Sequence, residues 1–234
     1  MYSFDSRIRY SETDSEGKLF LEALLNYFQD CSTFQSEDLG LGIEYLKQMH
    51  LVWVLTSWQI VVDRYPKLGE RVNVGTFPYD FKTCFGYRNF FMKDQSGQFL
   101  ARANSLWTLL DTRTMHPVRP PEMMRKKYSL EERLDMDYAS RKIVMPEHML
   151  PMEPIEVRRH HLDTNHHVNN GQYVRIAAEY LPEGFEVIQL RAEYKKQAVL
   201  QDRLYPLAAY ESGKCMVALR DEQGNTYANV EFVG

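Results

Sequence analysis

Residues 160–173 read HHLDTNHHVNNGQY and hold four of the seven histidines in the chain. Asp163, Asn165 and His167 stand two residues apart, so in an extended segment an acid, an amide and an imidazole share one face. Asn169 or Asn170 then caps a helix whose apolar positions are Tyr173, Val174, Ile176, Ala177 and Tyr180. The three polar groups are thereby expected to face a helix N-terminus, whose free N–H groups favour negative charge. Such a place suits a carbonyl becoming an oxyanion. Imidazole and carboxylate also ligate metals, but the run lacks two histidines one helical turn apart, and no metal site is expected. The competing reading is a polar surface loop, and the rest of the chain decides against it.

Outward from this stretch, the same layout recurs near the N-terminus. Ile8-Arg9 precede Asp14 as Val157-Arg158 precede Asp163, and a helix follows in both places. LGERVNV (68–74) matches LQDRLYP (200–206), and DQSGQFLA (94–101) matches DEQGNTYA (221–228). Three matches in the same order argue for an internal duplication.

The first half predicts a strand over Ser6 to Tyr10, then a helix over Leu21 to Leu39 with apolar residues at helical spacing, closed by Gly40 and Gly42. From Leu51 to Asp111 the texture is that of an antiparallel meander, rich in β-branched and aromatic residues. Turns are expected at 66–69, at Pro78-Tyr79-Asp80 and at 94–97. Proline-punctuated residues 113–152 read as a linker with one or two short helices, Pro120 or Pro121 at a helix start. The domain division is therefore 1–112, a linker at 113–152, and 153–234. In each repeat the helix needs a partner for its apolar face, and a curved sheet wrapped around it provides one.

Composition narrows the class. A chain of 234 residues that is 44% hydrophobic and 26% charged can bury a sizeable core. A net charge of −4 gives no reason to expect a nucleic-acid partner. Cys31, Cys84 and Cys215 are odd in number and widely spaced, which suggests reduced, buried side chains and a cytoplasmic setting. The longest apolar stretch, around 51–62, is interrupted by polar residues and too short to span a bilayer. No cofactor motif stands out.

The segment LDTNHHVNNGQY resembles the D-x-N-x-H-V-N-N-x-x-Y motif of the acyl-(acyl carrier protein) thioesterases, bacterial and plant. WVLTSWQIVVDRYPKLGERV, ARANSLWTLLD and EYKKQAVLQD (193–202) extend the resemblance over nearly the whole chain. It implies an α+β tandem double hot-dog fold, each repeat a long helix wrapped by a curved antiparallel sheet, the first holding the acyl pocket and the second catalytic. It implies hydrolysis of fatty acyl-(acyl carrier protein), releasing free fatty acid and ending chain elongation. The family places catalysis at Asp163, Asn165 and His167. Asp163 would attack or hold the water, His167 pass the proton, and Asn165 donate to the oxyanion. Plant relatives carry a transit peptide, whereas this chain opens at the first repeat, as expected of a bacterial cytoplasmic enzyme.

One departure matters. Where the plant motif has Glu and then Cys, this chain has Gln197 and Ala198. An amide is no base and alanine no nucleophile, so Gln197 can only position water by hydrogen bonding. Asp14 sits where Asp163 does, but with Glu16 and Lys18 in place of Asn165 and His167, and a second active site looks incomplete. Asn169, Trp53 and Trp58 are candidates for substrate binding. An acidic carrier protein calls for local positive charge, offered by Arg158, Arg159, Lys195 and Lys196. A homodimer is left open, since duplication already supplies the pairing of single hot-dogs. Three alternatives compete: an acyl-CoA thioesterase, a non-catalytic acyl-thioester binding protein, and a hot-dog enoyl hydratase. The hydratase typically has proline before the final histidine, where His166 stands here.

Overall fold

The computed structural model describes all of residues 1–234, which separate into two compact units. Residues 1–56 with 60–138 form the first, and residues 57–59 with 139–234 the second.

The first unit contains β1 (Tyr2–Arg7), α1 (Leu21–Asp38), α2 (Ile43–Gln48), β2 (Leu51–Val62), β3 (Arg71–Lys82), β4 (Phe85–Asp94), β5 (Phe99–Asp111) and α3 (Glu122–Lys127). Its strands lie in the order β1-β3-β4-β5-β2, and the β1–β3, β3–β4 and β4–β5 pairs are antiparallel. Helix α1 packs on β1 and β3 through Leu24, Leu25, Tyr27, Phe28 and Cys31, the apolar stripe its sequence spacing predicts. Phe28 is wholly buried with its ring 5.4 Å from that of Phe90. Burying such a side chain contributes about 2–3 kcal/mol.

The second unit repeats the plan in shorter form. It contains β6 (Leu150–Pro151), β7 (Ile155–Glu156), α4 (Asn170–Ala178), β8 (Gln189–Tyr194), β9 (Arg203–Glu211), β10 (Lys214–Arg220) and β11 (Thr226–Val233). The order is β8-β11-β10-β9-β6, antiparallel throughout these pairs, with β7 on β9. Helix α4 packs on β10 and β11 and spans 9 residues against 18 in α1.

The duplication extends to individual backbone hydrogen bonds. Ile8 N donates to Glu70 O and Gly69 N to Ile8 O; in the second repeat Val157 N donates to Asp202 O and Gln201 N to Val157 O. Gly69 (φ 79°) and Gln201 (φ 71°) share a left-handed backbone at equivalent places. The β4–β5 hairpin closes with Asp94 N on Gln98 O, and the β10–β11 hairpin with Asp221 N on Asn225 O. The aspartate of each hairpin accepts two further turn amides through Oδ1.

Two expectations are corrected. The first strand is Tyr2–Arg7, not Ser6 to Tyr10; residues 10–12 form a 3-10 turn whose Glu12 carboxylate caps Arg9 N. Pro78-Tyr79-Asp80 is not a turn but a bulge inside β3, where the register on β4 slips. A bulge tolerates proline because one residue leaves the ladder. The chain reverses further on, at Thr83 (φ 54°). In the proline-rich stretch a single helix forms, α3, with Pro121 at its N-cap.

Candidate active site

The segment bearing Asp163, Asn165 and His167 is not extended, as alternation suggested, but folded into a tight turn. Aspartate accounts for the difference. Asp163 Oδ1 accepts hydrogen bonds from Asn165 N at 2.8 Å and His167 N at 3.2 Å, while Asp163 N donates to His167 O at 2.8 Å. A short carboxylate that satisfies amides two and four residues on outcompetes a strand with no neighbour to pair. His166 takes the left-handed conformation (φ 62°) that closes the turn. Oδ1 is thus occupied, and Oδ2 makes no hydrogen bond.

Both flanks of the turn are pinned. Upstream, residues Arg159–His161 form a 3-10 turn in which Arg158 N donates to His161 Nδ1 at 3.0 Å. Leu162 bridges Val168, and Asn169 N donates to His161 O at 2.9 Å. Downstream, Asn169 is the N-cap of α4: its Oδ1 accepts from Gly171 N at 2.8 Å and its carbonyl from Gln172 N at 2.9 Å. Two of the helix's first amides are therefore already satisfied, and that of Asn170 is left free.

A second segment, 195–202, runs beside the turn. Val168 N donates to Ala198 O at 2.9 Å, and His167 bridges Val199. Ala198 N donates to the Tyr173 hydroxyl at 2.8 Å, and both residues are buried. Asp202 Oδ2 accepts from Val199 N and from the Tyr227 hydroxyl, each at 3.0 Å. Lys196 pairs with Asp221 at 2.9 Å and lies over the Tyr227 ring. These contacts place the exposed Gln197 next to the strand-like end of the turn, with no hydrogen bond on its own side chain. Position 198 is wholly buried, so no side chain there meets water.

The first repeat builds the same turn. Asp14 Oδ1 accepts from Glu16 N and Lys18 N, both at 2.9 Å, Asp14 N donates to Lys18 O, and Gly17 takes the left-handed position held by His166. There, however, Glu16 and Lys18 pair with each other at 3.1 Å. The carboxylate is structural in both repeats. Only the second puts an amide and an imidazole on the frame.

The structure thus brings Asp163, Asn165, His167, Asn169 and Gln197 together. Asp163 and His167 are half-buried, and Asn165 and Gln197 are exposed. Trp53 lies elsewhere, packed on Leu41, Leu109, Met124 and Tyr128 in the first unit. Trp58, expected in the first-repeat pocket, is buried within residues 57–59, which group with the second unit. Arg158 and Arg159 flank the turn, exposed and without an ion pair, whereas Lys195 lies 3.7 Å from Glu193 and Lys196 is held by Asp221. Two contributors escaped the sequence reading: Tyr173, taken for core because it sits on the apolar stripe of α4, and His161. Burial pushes the Tyr173 phenol well above its ordinary pKa, so its hydroxyl stays protonated, an acceptor for Ala198 N. No group of three or more His, Cys, Asp or Glu residues is placed to hold a metal ion. No helix is long and apolar enough to cross a membrane.

Residues 1–128 match the family model for the acyl-ACP thioesterase N-terminal domain, and residues 146–232 that for the C-terminal domain. A chloroplastic acyl-[acyl-carrier-protein] hydrolase of Cuphea viscosissima is 26% identical over 223 residues, covering 88% of this chain and 54% of the relative. A chloroplastic palmitoyl-acyl carrier protein thioesterase of Gossypium hirsutum is 27% identical over 216 residues, covering 84% of this chain and 52% of the relative. The chain spans about half the length of these relatives. Among solved structures, an acyl-ACP thioesterase from Bacteroides thetaiotaomicron superposes with a TM-score of 0.90 at 21% identity, covering 99% of this chain and 96% of that one. A 12:0-ACP thioesterase from Umbellularia californica gives 0.85 at 22% identity, with the same coverage of 99% and 96%. At these identities the structures establish the double hot-dog fold.

Proposed function

The chain belongs to the acyl-ACP thioesterase family, and from that premise we propose that it hydrolyses the thioester of a fatty acyl group carried on acyl carrier protein. Water adds to the thioester carbonyl, the carbon–sulfur bond breaks, and a free fatty acid and the carrier's thiol leave. The observation that carries this reading is the difference between the two turns. One frame, built twice, holds a self-neutralised Glu16–Lys18 pair in the first repeat and Asn165 with His167 in the second.

In this reading Asp163, held by two amides through Oδ1, offers Oδ2 to the water or the carbonyl. His167 carries the proton to the departing thiolate. The oxyanion takes hydrogen bonds from the Asn165 side chain and the free Asn170 amide, one such donor being worth about 3 kcal/mol. Gln197 orients the water. Asn169 supports the site by capping α4. The first repeat, with Trp53 in its core, contributes the acyl pocket, and Arg158 and Arg159 the positive charge for an acidic carrier. The enzyme would act in the cytoplasm.

Free-thiol release from matched acyl-carrier-protein and acyl-CoA panels tests the reading. Rapid release from the carrier substrates is expected. Faster release from CoA would reassign the carrier, and hydration of enoyl thioesters or binding without turnover would overturn the hydrolase.

A further inference from the structure

The two repeats differ at one more position that bears on the catalytic turn. Each turn is preceded by a 3-10 segment whose last side chain reaches back to cap the amide three residues earlier. In the first repeat this is Glu12, whose Oε2 accepts from Arg9 N at 2.9 Å. In the second it is His161, whose Nδ1 accepts from Arg158 N at 3.0 Å. The same residues carry the next link: Phe20 N donates to Glu12 O, and Asn169 N to His161 O. His161 therefore holds both the entry of the turn and the N-cap of α4.

The exchange changes what the cap tolerates. A carboxylate remains an acceptor at any pH above its own low pKa, but imidazole accepts at Nδ1 only when that nitrogen carries no proton. From this the geometry points to His161 as a positioning residue for the proposed hydrolysis, holding the catalytic turn in place only as the neutral Nε2–H tautomer and releasing it when protonated. The inference rests on the thioesterase reading for its kinetic consequence, not for its structural one.

The surroundings agree. His161 is 9% exposed, with the His160 ring centroid 4.1 Å from its own. The charged groups facing it are Arg158 and His160 on its own segment and Arg175 on α4. Burial first, then these cationic neighbours, pull its pKa below the ordinary histidine value. The sign follows. The unfolded chain takes up this proton at a higher pH than the folded one, so the stabilisation is full above about pH 6.5 and is lost as pH falls toward the lowered folded value.

The test compares wild type with His161→Glu, which copies the first repeat's cap, and His161→Gln, a neutral acceptor. Measured as kcat/KM against pH, the acid-side decline of wild type should exceed that of both variants by roughly threefold or more near pH 5. All other ionisable groups are common to the three proteins, so their contribution to the profile cancels. Coincident profiles would overturn the proposal, as would a uniform loss in the variants with no change of shape. Nitrogen NMR of the intact protein gives a readout free of turnover. His161 should show an unprotonated Nδ1 at neutral pH, and the Asn165 and His167 amides should shift as it titrates. A protonated Nδ1 at neutral pH, or amides indifferent to the titration, would sink it even in an active enzyme. Thiol release absent from every substrate, with the NMR coupling intact, would instead discard the thioesterase reading alone.

Discussion

Replacing Asp163 by asparagine and by alanine should separate what the residue holds from what it does. Its Oδ1 accepts two amides, at 2.8 and 3.2 Å, in a half-buried turn. Hydrogen bonds to a charged acceptor are worth about 1.5–3 kcal/mol each, less where water competes, so Asp163→Ala should cost about 1–3 kcal/mol. For a chain of this size that lowers the melting temperature by roughly 2–10 °C. Asparagine keeps an Oδ1 acceptor, so Asp163→Asn should lose well under half of that. Its activity is another matter. Without the negative charge on Oδ2, turnover should fall roughly a hundred- to ten-thousand-fold while the Asn165 and His167 amides keep their native NMR shifts. Asp14 is the internal control, since it makes the same two bonds at 2.9 Å. Asp14→Ala should cost about the same stability as Asp163→Ala and leave turnover per folded molecule unchanged. Thermal melts and thiol release on wild type and these three variants decide the matter. Near-wild-type turnover in Asp163→Asn, or turnover abolished in folded Asp14→Ala, would refute the division of labour drawn between the two turns.

Tyr173→Phe removes the acceptor of the buried Ala198 amide; it should cost about 1–3 kcal/mol in chemical denaturation and lower kcat more than it raises KM. Gln197→Ala, at an exposed side chain without a hydrogen bond, should lower kcat by less than about tenfold. A larger loss would show that ordering the attacking water, the one role an amide can fill here, limits the reaction. Arg158→Glu with Arg159→Glu should raise KM for acyl carrier protein several-fold at low salt, the gap narrowing as salt screens it, with turnover of a carrier-free thioester unchanged. Equal loss on both substrates would assign the arginines to the turn instead of to docking.

How much of this was legible in the chain varies with the range of the interactions involved. The duplication was readable because turn chemistry is local: Asp94 and Gly97 of one hairpin recur as Asp221 and Gly224 of the other, even though Gln201 and His166 take the left-handed places of Gly69 and Gly17. The helix of the second repeat was equally plain, since Asn169 and the stripe through Tyr173, Val174, Ile176 and Ala177 are short-range signals. Alternation failed at residues 163–167 because period two describes a strand with partners, and here an aspartate supplies its own. It failed at Pro78 because a proline in a bulge and a proline in a turn look alike in sequence. The anchoring of the 195–202 segment was beyond sequence altogether. Tyr173 meets Ala198, and Tyr227 meets Asp202, only after the sheet and helix have packed.

On the proposed reading, the two turns also explain how chemistry is placed on this frame without rebuilding it. Every bond that shapes the turn uses main chain or the aspartate: the Asp14 and Asp163 carboxylates, the carbonyls of Lys18 and His167, and the left-handed residue between. The side chains at the other two places carry no part of the fold. In the first repeat they are free to become Glu16 and Lys18, which cancel each other's charge across 3.1 Å. In the second they are free to become an amide and an imidazole beside a carboxylate whose second oxygen is unspent. On that reading, stability and reactivity draw on different atoms of the same five residues. The exception is the cap before the turn, where His161 stands in place of Glu12 and the fold itself depends on an imidazole that accepts only while its Nδ1 carries no proton. That is the one place where exchanging a side chain in the second repeat ties the frame to pH, and it lies directly against the residues proposed to carry the reaction.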